Sequence, residues 1–271
     1  MPGLEGYGIV VEVGAGVSKV KVGNRVVPFF DTYNGKGSWQ EFVVLSQDDV
    51  AIVPDSVDDA SAAQLVVNPF TVIGLLDELK VPPGEFLLQT AAGSVLGRQL
   101  IQVAKHRGIK TVNVVRRAAQ IDELKALGAD VVVSTEGLSG AAAIAEAIVK
   151  AIGGKHAYAA VEAVSGELTA ATTAAVRRRG VVLLYGLMDG VTTHADGPSL
   201  LFRGVTLKGF WLADVIHDKQ KRAQLATETF DLISKKVLVP FSGSILPLES
   251  ASDAVKKSNE KARGGKILLS S

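Results

Sequence analysis

The sequence predicts a doubly wound α/β domain flanked by a β-rich module to which both ends of the chain contribute. Three observations carry this. From about residue 85 onward, short apolar runs alternate with helical patterns. The runs are continuous Val/Leu/Ala stretches rather than apolar–polar alternations, as expected of parallel strands buried on both faces. Glycines follow the helical patterns, where a left-handed cap favours them.

Residues 8–53 read as all-β. GIVVEVG, NRVVPFF and SWQEFVVL are β-rich runs separated by Gly, Asn and Asp turn signals. A helical pattern starts near Asp58 and Asp59, with Asp59 or Ser61 as the expected N-cap, and continues through Leu75 and Leu79. Pro69 lies inside it and predicts a kink or break. Strand and helix then alternate: EFLLQTA and LGRQLIQVAKHRG, KTVNVVR and AAQIDELKALG, DVVVS and GAAAIAEAIVKAIGG, AYAAVEAV and GELTAATTAAVRRRG. GVVLLYG and VTLKGFWL complete six strands, placing the α/β domain at residues 67–237. Arg177–Arg179 are expected to end a helix, where cations are favourable. The tail returns to the β-rich style with VLVPFSGSILPL, one amphipathic helix in ESASDAVKKSNEKARG, and a last strand, GKILLS. The second module therefore combines residues 1–66 and 238–271.

Composition narrows the function. The chain is 47% hydrophobic and 21% charged with a net charge of +1, so neither nucleic acid nor a polyanionic surface is expected as a partner. It has no cysteine, which removes disulfides, thiolate catalysis and sulfur-ligated zinc. Charges or prolines interrupt every apolar stretch before it reaches ~18 residues, so no membrane association is expected. MPGLEGYGIVVEVG has no basic n-region, so neither a signal nor a transit peptide is expected, and the expected location is cytoplasmic.

The stretch LLQTAAGSVLGRQL joins a strand to a helix through small residues. In a dinucleotide fold three glycines serve this turn, for tightness, close approach of the pyrophosphate and helix–strand packing. Counting back from Gly97, those positions hold Ala92, Ser94 and Gly97. The helix start near Val95 and Leu96 offers N–H groups and the positive end of a dipole, and the Ser94 hydroxyl adds a donor. A reader of NAD carries an acidic residue about 20 positions on, at the end of the second strand. Here that strand ends in Arg116, 19 residues after Gly97, and Arg117. Guanidinium groups suit a 2′-phosphate, so the expected cofactor is NADPH. The alternatives are a small-residue loop of some other α/β protein and a solvated helix start.

Read together, GLEGYGIVVEVG, GSWQEFVVL, VNPFTV, TAAGSVLGRQLIQVAK, VNVVRR, LKALGAD, LLYGLM and LKGFWL resemble the zinc-independent medium-chain dehydrogenase/reductases. Within them the chain is most similar to the NADPH-dependent 2-enoyl thioester reductases. The resemblance runs from Gly3 to the C-terminus and implies a Rossmann domain with a GroES-like β-rich domain. Leu4 stands where zinc-dependent members have histidine. By resemblance Asn68 lies near the nicotinamide, and Ser94, Val95, Leu96 and Gly97 form the pyrophosphate turn. Arg116 and Arg117 match the 2′-phosphate site, with Ala118 replacing the second arginine of the family's Arg-Asp-Arg. Tyr185, Gly186, Leu187 and Met188 match the loop beside the nicotinamide. Phe210, Trp211 and Leu212 match a strand between cofactor and acyl pocket, and Lys266 a cofactor-contacting lysine. Phe210 and Leu212 also read as core, and Lys266 as solvated. Two chains are expected to pair through the edge strand VTLKGFWL as a homodimer, and relatives place a mitochondrial location beside the cytoplasmic one.

The family pattern starts before the segment that matches GLEGYG, and that earlier part carries its proton-donating tyrosine. Tyr7, Tyr33, Tyr158 and Tyr185 do not match the donor, although Tyr33 in DTYNGKG is placed to approach the reacting centre. The β-rich module is therefore expected to show open edges. His106, His156, His194 and His217 read as surface residues. The expected activity is NADPH-dependent reduction of the C2=C3 bond of 2-enoyl thioesters. The alternatives are quinone or enone reduction, for which no tyrosine is needed, and a non-catalytic NADPH-binding dimer.

Overall fold

The computed structural model describes residues 2–30, 36–260 and 264–271. The chain divides into two compact units, one of Met1–Thr71 with Leu212–Ser271, the other of Val72–Trp211. Along the chain, β1 (Gly8–Ile9), β2 (Arg25–Pro28) and β3 (Val50–Ile52) precede α1 (Asp59–Ala62) and α2 (Val67–Leu79). The alternating region holds β4 (Phe86–Gln89), α3 (Val95–His106), β5 (Lys110–Val115), α4 (Ile121–Leu127), β6 (Val131–Ser134) and α5 (Ala141–Ala151). It continues with β7 (Ala159–Glu162), α6 (Glu167–Ala175), β8 (Val181–Leu184), α7 (Gly197–Arg203) and β9 (Thr206–Gly209). Last come α8 (Leu212–Ile216), α9 (Lys219–Ser234), β10 (Ser242–Pro247), α10 (Ala251–Ser258) and β11 (Lys266–Ser270).

The second unit is the α/β domain that the alternation predicts. Its six strands are all parallel, in the order β6-β5-β4-β7-β8-β9. The chain winds outward through β4, β5 and β6, then returns to the other side of β4 with β7. Strand order thus reverses between β4 and β7, where open α/β sheets bind ligands beyond the carboxyl ends of the strands. Leu87, Leu88, Val112, Val114, Val161, Val182 and Leu183 are buried. Each such side chain contributes roughly 1.5–3 kcal/mol of apolar burial.

The first unit has two small sheets. β2 lies between β1 and β3, both antiparallel to it, and β10 pairs in parallel with β11. Arg222 on α9 donates to the Asp48 carbonyl and Asp49 carboxylate, and its guanidinium stacks on Phe29. These contacts explain why residues 212–237, expected in the α/β domain, group with the first unit.

Several elements differ from the expectations. SWQEFVVL forms no strand, because no neighbouring strand pairs with it, and Phe42 and Val44 are 71% and 85% exposed. The helix expected as one piece is two. Asp58, rather than Asp59 or Ser61, caps α1 by accepting from the Ser61 N–H. Pro69 lies in the first turn of α2, where its missing N–H costs no intrahelical bond, so the break falls before it. Arg177–Arg179 do not end a helix. α6 stops at Ala175 because Val176 turns extended and bridges to Ala157, and Arg177 stacks on Tyr158. Phe210 and Trp211 lie beyond β9, and Leu212 begins α8, so FWL is not a strand. α7 and α9, which the pattern did not reveal, are capped by Asp196 and Asp218.

Candidate functional site

The turn after β4 sits at the point where strand order reverses. Ala92 is buried and donates its N–H to the Val114 carbonyl, while Ala91 takes the left-handed φ of 49°. Ser94 is the N-cap of α3, its Oγ accepting from the Gly97 N–H at 3.1 Å. The first-turn N–H groups of Val95 and Leu96 lie ahead of the helix ladder, and the Ser94 hydroxyl keeps its own hydrogen to donate. A Cβ on Gly97 would lie 2.6 Å from the Ala92 carbonyl oxygen and 2.7 Å from its Cα, so only glycine lets α3 pack this close. Gly93, for which no role was expected, leaves room for the Gln120 amide, which would stand 2.1 Å from an added Cβ. Beneath the turn, Gln89 donates to the Gly97 carbonyl and the Asn113 side chain, fixing α3 over β4 and β5.

Arg116 and Arg117 follow β5 directly and are exposed. Among the described residues neither guanidinium has a hydrogen-bond or ion-pair partner. The next N–H, that of Ala118, donates to the Glu136 carboxylate at 2.7 Å. The turn and this strand end together present free N–H groups and two free cations along one edge of the sheet. That chemistry suits a ligand carrying two phosphate groups.

On the other side of the reversal, Tyr185, Gly186, Leu187 and Met188 follow β8. Leu187 and Met188 are exposed, whereas the Tyr185 hydroxyl is buried without a partner among the described residues. Burial, with the nearby Glu162 charge, pushes the Tyr185 phenol well above its usual range. Gly186 passes so close to Ala163 that a Cβ would lie 2.8 Å from its carbonyl oxygen. Phe210 is 7% exposed and its ring fills the space over Gly74 of α2, so it is core, and Trp211 is exposed. Sequence reasoning missed Glu162. This fully buried carboxylate ends β7 and accepts from Thr90, Val164, Ser165 and Thr169. The signal was available, as the only charge in the apolar run AYAAVEAV.

Three expected site residues belong to the first unit. Asn68 is in the first turn of α2, and Leu212 opens α8. Lys266 is not solvated: its ammonium is paired with Glu5, whose other oxygen accepts from the Val67 N–H at 3.0 Å. Of the tyrosines, Tyr7 accepts from Arg25 at 3.2 Å and Arg177 covers the Tyr158 ring at 3.7 Å. Tyr33 lies outside the described residues. Among the described residues no three His, Asp or Glu side chains gather as a metal site. No described helix is long and apolar enough to cross a membrane.

Two family models match the chain, one described as zinc-binding dehydrogenase over residues 95–228 and one as alcohol dehydrogenase GroES-like domain over residues 1–55. A mitochondrial enoyl-[acyl-carrier-protein] reductase of Dictyostelium discoideum is 31% identical, over 98% of this chain and 76% of that protein. Its counterpart in Xenopus tropicalis is 32% identical, over 98% and 77%. Among solved structures, an Escherichia coli quinone oxidoreductase complexed with NADPH superposes with a TM-score of 0.88 at 25% identity, over 98% of this chain and 81% of that one.

Proposed function

Starting from the zinc-independent medium-chain dehydrogenase/reductases, the family to which this chain belongs with an enoyl reductase-like sequence, we propose that it reduces the C2=C3 bond of 2-enoyl thioesters with NADPH. The observation that carries the cofactor is the end of β5, where two exposed and unpaired arginines stand in the place an NAD reader gives to a carboxylate. In this reading Arg116 and Arg117 take the 2′-phosphate. The N–H groups of Val95 and Leu96 and the Ser94 hydroxyl take the pyrophosphate, and Gly97 keeps the helix start close enough to do so. Residues 185–188 border the nicotinamide. Asn68, Leu212 and Lys266 are assigned to the cofactor by resemblance alone. The enoyl reductase relatives support the substrate class.

When bound, NADPH supplies the hydride that C3 accepts. The thioester carbonyl needs hydrogen-bond donors as enolate charge develops, and Cα needs a proton. Tyr7 is engaged with Arg25, and the Tyr185 hydroxyl is buried, so neither is assigned that proton. The test is to mix the protein with NADPH and a crotonyl thioester and follow loss of NADPH absorbance. Turnover supports the reading, and its absence at high enzyme concentration refutes it.

A second reading, reduction of quinones or small enones, is favoured by the likeness to the NADPH-bound quinone oxidoreductase. It needs no tyrosine donor. Faster turnover of a benzoquinone than of the thioester would select it, and NADPH binding without turnover of either would leave a non-catalytic binder. We also propose that two copies pair through β9. It is the outer strand of the sheet, Thr206, Lys208 and Gly209 are exposed, and exposed Leu201, Phe202 and Trp211 adjoin it in sequence. A monomeric mass in solution would refute the pairing.

A further inference from the structure

Glu162 is the one fully buried carboxylate among the described residues, and the donors that reach it are neutral. Its Oε1 accepts from the Thr90 hydroxyl at 2.8 Å and the Val164 N–H at 2.7 Å. Its Oε2 accepts from the Ser165 N–H at 2.9 Å and the Thr169 hydroxyl at 2.6 Å. Burying a charge on neutral donors alone is costly, and losing even one donor leaves the charge under-solvated. The donors come from the residue before the phosphate turn, from the turn after β7, and from the first turn of α6.

The turn after β7 is strained at Ser165, whose φ is 77°, whereas Gly166 takes its positive φ of 61° freely. A non-glycine residue is disfavoured in that region, and the Ser165 N–H on Glu162 offsets the cost. The same turn holds the loop after β8. Tyr185 and Met188 donate their N–H groups to the Glu162 and Ala163 carbonyls, and Asp189 donates its N–H to the Val164 carbonyl at 2.7 Å. The Ser165 hydroxyl donates to the Gly190 carbonyl at 2.7 Å, and the Thr193 hydroxyl to Thr169. One carboxylate therefore ties the turn after β4 to the loop that follows β8.

From this arrangement we infer that Glu162 is a positioning residue for the nicotinamide half of the cofactor. The inference rests on the NADPH reading. A dinucleotide lies across the reversal of strand order with adenosine over the β4–β5–β6 half, so its nicotinamide lies over β7–β8–β9. Glu162 touches neither end. It sets the 163–166 turn, and that turn sets residues 185–190 against the nicotinamide. Glu162→Gln keeps the shape but puts an NH2 group against a backbone N–H of Val164 or Ser165, which cannot turn away.

The test separates the two halves of the ligand. Titration calorimetry measures NADPH and 2′,5′-ADP, which carries only the adenosine half, on wild type, Glu162→Gln and Ser165→Ala. In Glu162→Gln the Kd for NADPH rises about tenfold while that for 2′,5′-ADP stays within about twofold. Ser165→Ala removes only the tether to Gly190, so NADPH weakens about threefold while 2′,5′-ADP stays within about twofold. Equal weakening of both ligands, or unchanged NADPH binding, overturns the inference. Should Glu162→Gln fail to fold, Ser165→Ala decides alone by the same criterion. Wild type that binds neither ligand would instead refute the NADPH reading, and the inference with it.

Discussion

The two units are held together in opposite ways. In the second, all neighbouring strands except β4 and β7 follow one another along the chain, and the middle of the sheet is buried. In the first, contacts join remote segments: Glu5 with Lys266, Gln64 with Ser242, Ser56 with Ser234, Asp48 and Asp49 with Arg222. Ile9, Val11, Phe42 and Val44 remain more than half exposed. A parallel sheet wound from successive βα units gains its burial locally. A module assembled from distant strands depends on a few polar contacts and leaves apolar edges open.

The strongest way to break this contrast is a pair of truncations. Leu88→Ala, at a fully buried position of the central strand β4, should cost about 2–5 kcal/mol. Phe42→Ser should shift stability by less than about 0.5 kcal/mol. Urea denaturation of both reads the difference, and equal losses would erase it. Next in size is Gly97→Ala, whose methyl group meets the Ala92 backbone, for about 1–3 kcal/mol and weaker NADPH binding. A melting temperature equal to wild type would show that α3 does not need that close approach.

A smaller effect should touch the ligand without the fold. Arg116→Ala with Arg117→Ala should weaken NADPH about tenfold or more, leave NADH unchanged, and leave the melting temperature alone. A parallel loss for NADH would remove the 2′-phosphate assignment. The smallest is a pH effect at His156, whose pKa burial, and secondly Arg203, lower. As pH falls, the unfolded chain takes up this proton first. The contribution to stability is complete above the unfolded pKa of about 6.5 and is lost as pH falls through the lower folded value. His156→Gln should flatten the melting-temperature profile across that window, and an unchanged profile would remove the assignment.

The same contrast explains what was legible in the sequence. The inner strands of the second unit read directly, because burial on both faces makes them largely apolar runs. Gly97 and the two arginines read through spacing along one βα unit. SWQEFVVL misled because strand character needs a partner, which no local pattern supplies. α9 was overlooked because the partners of its Arg222, Phe29 and Asp49, are distant in sequence. Glu162 carried a signal, a charge in an apolar strand, but its four donors come from three separate elements. FWL read as a strand by analogy, whereas its phenylalanine fills the space left by Gly74.

The discontinuous first unit also fixes an order of assembly. Residues 72–211 are one uninterrupted stretch, so during synthesis the sheet from β4 to β9 can close while the rest of the chain is still being made. Glu5 leaves the ribosome before any strand of that sheet, yet its lysine partner is 261 positions away. Until then residues 1–71 wait with Val11, Val27 and Phe29 in reach of water and chaperones. Nascent-chain aggregation, rather than loss of the finished fold, is therefore where sequence changes in that segment would first be felt.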